Sequence, residues 1–311
     1  MLQNANMLAH VVANVEKVIV GKKEAIELAL VAFLAKGHVL IEDMPGVGKT
    51  TLVYAIAKSF NCTFKRIQFT PDVMPSDVVG FSMYNQKTGA FEYQQGSIMG
   101  QIVLADEINR ASPKTQSSLL EVMAEAQVTV DGQTYAMPEP FIVFATQNPN
   151  TYVGTHPLPE AQLDRFMMRL SLGYPLESHE VAILAQQQQH QPLDYLQPVA
   201  TTADLIALQQ SVSRIHVEAS LQAYIVKIVR ATRSHVDVML GCSPRATLDL
   251  YRAAQALALY AGRGFVLPDD VIKVATVVLA HRLVLKPEAS FKQVSSQTII
   301  ADILSSTPVP A

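Results

Sequence analysis

The sequence predicts an α/β domain built on a parallel sheet, followed by a smaller helical domain. Two observations predict it. Up to about Tyr174, short and nearly continuous apolar runs alternate with helix-like segments; strands apolar on both faces belong to parallel sheets covered by helices. After Pro175 the alternation stops and helical periodicity takes over. A chain of 311 residues fits two domains, at about 100–200 residues each. The expected division is 1–176 for the α/β core, 177–198 for a connecting helix and linker, and 199–311 for the helical domain.

The expected strands are VLIE (39–42), FKRIQF (64–69), IVLADE (102–107), FIVFAT (141–146) and MRLSLGY (168–174). Two hairpins are expected between sheet strands. VVGFSMYNQKTGAFEYQQGSI (78–98) turns at KTG, and QVTVDGQTYAMP (127–138) turns at Asp131-Gly132, a strong two-residue hairpin signal. Helices are expected from Glu177 to His190, then at 202–214, 218–236, 244–262 and 268–284. The third of these later helices has Ser243 to cap it and Pro244 at its first position. QPLDYLQP (191–198) reads as a turn-rich linker, the glutamines before it as a solvated helix end, and the terminal STPVPA as frayed. No internal repeat is present.

Hydrophobic residues make up 49% and charged residues 16% of the chain, a globular rather than a disordered composition. A net charge of -3 gives the chain as a whole no electrostatic footprint for nucleic acid. Cys62 and Cys242 are far apart in no metal-binding pattern, so neither zinc nor a disulfide is implied. The start lacks secretory-signal order and no apolar run has the length of a membrane span. The expectation is a soluble, cytoplasmic protein.

LIEDMPGVGKTT (40–51) carries the first chemistry. A strand, a glycine turn and a helix in that order form a phosphate-binding loop. Gly46 and Gly48 clear the way for backbone N–H groups to reach a phosphate, and the helix N-terminus adds its dipole. Lys49 can reach the β- and γ-phosphates and the Thr50 hydroxyl can ligate Mg²⁺. Pro45, Gly46, Val47, Gly48, Lys49, Thr50 and Thr51 are the expected nucleotide-binding set. Asp43 stands where the G-x-x-x-x-G-K-[ST] pattern has its first glycine. It lies at the strand exit, so nucleotide binding survives if its carboxylate turns away from the phosphates; Asp also tolerates left-handed backbone angles.

IVLADEINRA (102–111) ends a buried strand in two acids. Asp106 would hold Mg²⁺ through its water shell and Glu107 would polarise the attacking water. The structural alternative pairs both acids with Arg110 or Lys114. In FATQNP (144–149), Asn148 could orient the lytic water, or simply form a turn before Pro149.

DMPGVGKT, LADEINRASPKTQSSLLEVMAE, FATQNP, THPLPEAQLDRF and GCSPRA, in this order over nearly the whole chain, resemble the MoxR branch of the AAA+ ATPases. The resemblance implies a P-loop AAA+ αβα core with a parallel sheet, a smaller all-helical lid domain, and rings, usually hexamers, with Mg·ATP between subunits. Arg165 then resembles the arginine finger that reaches a neighbour's γ-phosphate, the alternatives being an in-chain salt bridge to Asp164 or Glu160, and Arg169 one helical turn on. Arg245 resembles the lid's sensor arginine acting on its own subunit's ATP, the alternative being a surface arginine. Val20 and Gly21 match the position that packs against adenine. The hairpins fall where the branch carries insertions toward the pore or a partner. The implied activity is ATP hydrolysis for chaperone-like remodelling of a partner with a von Willebrand A domain, in maturation or cofactor insertion of a metalloenzyme. A nucleic-acid motor or magnesium-chelatase-like subunit is the alternative, and a nucleotide-gated scaffold a third class.

Overall fold

The computed structural model describes residues 2–149, 154–187, 192–291 and 293–310. The chain opens with helices α1 (Leu2–Glu16) and α2 (Lys23–Leu34). Strand β1 (Val39–Glu42), helix α3 (Lys49–Ser59), strand β2 (Phe64–Gln68) and the short helix α4 (Pro75–Val79) follow. A hairpin of β3 (Gly80–Asn85) and β4 (Ala90–Gln95) leads to β5 (Ile102–Asp106) and α5 (Pro113–Glu125). A second hairpin, β6 (Gln127–Val130) and β7 (Gln133–Ala136), precedes β8 (Ile142–Gln147), α6 (Glu160–Leu163) and β9 (Met168–Leu170). The remainder is α7 (Glu177–Gln187), α8 (Pro192–Tyr195), α9 (Thr202–Val212), α10 (Ala219–Ser234), β10 (Val238–Leu240) and α11 (Pro244–Tyr260). It ends with α12 (Pro268–Leu279), β11 (Val284–Leu285), α13 (Pro287–Phe291) and α14 (Ser296–Ser306).

Five strands form one sheet in the order β2-β5-β8-β1-β9, and every pairing in it is parallel. Val39, Leu40 and Ile41 of β1 and Ile102 to Ala105 of β5 are fully buried, which is why these runs lack alternation. Strand β1, between the central β8 and the edge strand β9, delivers the chain into the loop before α3. Loops at the C-terminal ends of parallel strands are where such sheets bind ligands.

The α/β core with a helical C-terminal region is as the sequence predicts. The later helices begin where expected and end a few residues early. The helix expected to reach 284 stops at Leu279, gives one 3₁₀ turn (Ala280–Arg282), and then enters β11. That strand pairs antiparallel with β10, so the second region is helical but for a small ribbon. Within 191–198, expected as a turn-rich linker, Pro192–Tyr195 form the one-turn helix α8, which Pro192 begins at the position where a missing N–H is harmless. The expected end of the preceding helix at His190 lies outside the described residues. Helices α1, α2 and α14 were not expected. In α2 every residue from Leu28 to Leu34 is buried, so no polar face marks it as a helix.

Both hairpins form. Asp131 and Gly132 have φ of 48° and 78°, the left-handed pair of a type I′ turn, and Gly89 closes the other turn at φ 67°. Tyr93 of β4 stacks on Tyr135 of β7 at 4.1 Å between ring centroids, so the two insertions touch. Along the first, Phe81, Met83, Tyr84 and Phe91 are exposed, the last two paired next to the turn.

Candidate nucleotide site

The loop after β1 is shaped by glycine where shape requires it. Gly46 and Gly48 have φ of 86° and 94°, a region costly for other residues, and Gly48 is the N-cap of α3. Lys49 Nζ donates to the carbonyls of Asp43 (2.6 Å) and Met44 (3.3 Å), closing the loop on itself. Burial lowers the Lys49 pKa from its ordinary value, against the opposing pull of Asp43, Asp106 and Glu107.

Asp43 is not left-handed; φ is positive at neither Asp43 nor Met44. Its carboxylate is buried and faces the exit of β9, where Oδ2 accepts from the N–H of Gly173 (2.8 Å), the Ser171 hydroxyl (3.1 Å) and the N–H of Leu172. The side chain thus points away from the phosphates and ties the loop to the neighbouring strand. Restoring the glycine of the common pattern by Asp43→Gly is therefore expected to destabilise the fold by about 1–3 kcal/mol, because buried donors lose their acceptor. Denaturant unfolding checks this, with nucleotide affinity little changed because the carbonyl that holds Lys49 remains.

Pro45, Gly46, Gly48, Lys49, Thr50 and Thr51 line a cleft of about 330 Å³ together with Arg66, Asp106, Glu107 and Asn148. Asp106 ends β5 and accepts Thr146 Oγ1 at 2.6 Å on one oxygen and Arg66 at 2.7 Å on the other. Glu107 follows at φ 57°, unusual for a non-glycine residue and a form of strain that clusters at functional turns. Thr146, fully buried, accepts the Glu107 N–H at 2.9 Å, so one hydroxyl sets both acids. The Glu107 carboxylate receives Arg110 at 2.8 Å and Gln68 at 3.0 Å. The alternative pairing of Glu107 with Arg110 is thus present, whereas Asp106 is paired with Arg66. Asn148 stands in the cleft, its carbonyl 3.4 Å from Asn109 Nδ2.

This donor set suits Mg·ATP: a hydroxyl and a carboxylate for the ion, an ammonium and backbone N–H groups for the phosphates. Arg66, Gln68 and Thr146 were missed in the sequence. Arg66 and Gln68 stand two apart at the end of β2, as residues sharing one strand face do, and that spacing was the available signal.

The arginines stand elsewhere. Arg165 donates to the carbonyl of Leu120, not to Asp164 or Glu160. Arg169 lies on β9 rather than a helical turn onward, and is paired with Glu42 at 2.9 Å. Asp164 accepts Ser243 Oγ at 2.9 Å, and Ser243 caps α11, which puts exposed Arg245 beside the Arg165 loop. Arg245 also contributes to lowering the pKa of buried His38, after burial itself. His38 and Asp164 precede β1 and β9, whereas the phosphate loop follows β1. The two ends are roughly 16 Å apart at about 3.3 Å per residue. The cap fixes the start of α11 at the end of the sheet opposite the phosphate loop.

Val20 and Gly21 flank the cleft without lining it. Gly21 has φ 72°, and a Cβ there would lie 2.0 Å from His179 Nδ1, so only glycine fits. Its neighbour Lys22 reaches the Tyr174 carbonyl at 2.7 Å. Ile19 Cδ1 lies 3.4 Å from where a Cβ on Gly48 would stand, so this segment borders the phosphate loop.

A parallel sheet with a phosphate loop after an interior strand, an acidic pair on the adjacent strand but one and a helical C-terminal region defines an AAA ATPase. Residues 38–168 match the ATPase family associated with various cellular activities (AAA), and 230–303 match the AAA lid domain. YeaC of Bacillus subtilis is 52% identical over 304 residues, covering 98% of this chain and 95% of that protein. Chaperone MoxR1 of Mycobacterium tuberculosis is 41% identical over 312 residues, covering 97% and 82%. A crystal structure of a provisionally assigned ATPase from Cytophaga hutchinsonii superposes with a TM-score of 0.93 at 38% identity, covering 100% of this chain and 97% of its own. The chain belongs to the MoxR family of AAA+ ATPases.

Among the described residues, no helix is long and apolar enough to cross a membrane.

Proposed function

We propose that this protein hydrolyses ATP with Mg²⁺ in a homo-oligomeric ring, a hexamer, and uses the cycle to remodel a protein partner. The observation that carries the reading is the single cleft holding Lys49, Thr50, Asp106, Glu107 and Asn148. Lys49 and the loop amides would hold the phosphates, and Thr50 and Asp106 would hold Mg²⁺, once Asp106 is released from Arg66. Bound Mg²⁺ neutralises charge on the phosphates. Glu107 swings from Arg110 and Gln68 to take a proton from water, which Asn148 orients. Val20 and Gly21 face the adenine.

Among the described residues that line the cleft, Arg66 is the one arginine. Arg165 and Arg245, together at the far end of the sheet, serve the pocket of the adjoining subunit. A guanidinium suits this, being always charged and planar. Kinship with a protein named as a chaperone supports remodelling over a nucleic-acid motor. The partner is a von Willebrand A domain protein and the task is maturation or cofactor insertion of a metalloenzyme.

The test is subunit mixing. Arg165→Ala and Lys49→Ala are each expected to lack turnover alone, and their mixture to regain it: the first supplies a working pocket, the second a working arginine. Phosphate release that stays at background in all mixtures overturns action across the subunit boundary.

A further inference from the structure

Arg282 lies in the 3₁₀ turn after α12, outside the cleft, and its side chain is 2% exposed. One nitrogen, Nη2, donates to Asp249 at 2.5 Å, to the Phe166 carbonyl at 2.8 Å and to the Asp164 carbonyl at 3.4 Å. Nε stands 3.4 Å from the Asp164 carboxylate. Among the described residues neither Nε nor Nη1 has a hydrogen-bond partner, although both are buried. Orphaned buried donors are costly, so stability alone is a poor account of this arginine.

What it grips is informative. Asp164 and Phe166 are the two residues on either side of Arg165. Phe166 O also accepts His281 Nε2 at 3.0 Å; burial, with the nearby Arg282 charge, pushes His281 down to about 3, so its imidazole is neutral and donates. The Asp164 carboxylate takes the Ser243 hydroxyl at 2.9 Å, the cap of the helix whose second residue is Arg245. Both main-chain flanks of Arg165 and the base of Arg245 are therefore held in one buried cluster. Its members come from the β9 approach and from the helical region.

We infer that Arg282 is a positioning residue that locks the Arg165 loop to the cap of the Arg245 helix, so that both arginines are presented to the neighbouring subunit as one rigid unit. The inference rests on the proposed action of those arginines across the boundary. It adds that the helical region of a subunit governs its neighbour's pocket rather than its own. Arg282 does not line the cleft; it acts by keeping two guanidinium groups in register. A fork-shaped cation does this where an ammonium does not, since Lys is a point charge on a flexible stem.

The test uses Arg282→Lys, which keeps a charge for Asp249, and the double variant R282M/D249L, which removes the Arg282–Asp249 pair whole and leaves the partly exposed Asp164 carboxylate its Ser243 hydroxyl. Both are expected to unfold near the parent midpoint and to bind a fluorescent ATP analogue within about 2-fold of it, while kcat falls by at least about 10-fold, since a misplacement of about 1 Å is enough for such losses. The deciding readout is complementation. Mixed with Lys49→Ala subunits, whose arginines are intact, the Arg282 variants are expected to regain turnover. Mixed with Arg165→Ala subunits, they are expected to stay inactive, because neither subunit then presents a working arginine.

Parent-like turnover of both variants alone overturns the inference. Recovery with Arg165→Ala, or none with Lys49→Ala, does the same. The Arg165→Ala and Lys49→Ala mixture run alongside separates the two levels. If it recovers and the Arg282 pattern fails, only the positioning role falls; if it fails, action across the boundary falls and takes this inference with it.

Discussion

Glu107→Gln is expected to bind Mg·ATP as the parent does and to lose turnover by about 10²–10⁴-fold, the range a positioned general base contributes. The substitution keeps the side chain's length and an oxygen that can still accept from Arg110 and Gln68. The turn at φ 57° and the Thr146 hydrogen bond are main-chain features that it does not touch. Only the negative charge that polarises water is removed. Phosphate release beside equilibrium binding of an ATP analogue checks it. Unchanged turnover would reduce Glu107 to the structural partner of Arg110.

Lys49→Ala is expected to weaken ATP binding by roughly 10²-fold, as about 3 kcal/mol of charge-assisted hydrogen bonding implies at about 1.4 kcal/mol per decade. The ammonium already sits inside the loop, on the Asp43 and Met44 carbonyls, and its lowered pKa reflects burial in the cleft. Thermal stability should change far less than affinity, because the carbonyls it leaves lie in a cleft open to water. Titration with a fluorescent analogue separates the two. Parent-like affinity would mean that the backbone N–H groups and Thr50 carry the phosphates alone.

The sheet was readable because burial on both faces writes itself as uninterrupted apolar runs, as in Val39–Ile41 and Ile102–Ala105. The hairpins were readable because type I′ turns demand particular residues, and Asp131-Gly132 supplies them. Helix α2 was not, since burial all round erases the polar stripe. For the cleft, residues adjacent in sequence to a motif could be found, whereas Arg66, Gln68 and Thr146 act from other strands through parallel register. Gln68 lies opposite Asp106 across β2 and β5, a proximity no local pattern states. The placement of Arg245 was not legible for a related reason. Its surroundings are set by Ser243 meeting Asp164, 79 residues apart. The Asp43 exception, by contrast, resolves simply: its partners lie on the β9 exit.

The Tyr93–Tyr135 stack has a mechanical consequence. A lone two-stranded ribbon is a compliant object in water. Ring-on-ring contact between the two insertions makes a braced strut of them, anchored at one foot by α4 and β5 and at the other by α5 and β8. Tension applied near Phe91 is then divided between both feet. One of them leads through β5 directly to Asp106 and Glu107, so load on the outer tip and the geometry of the acidic turn share a single line of force.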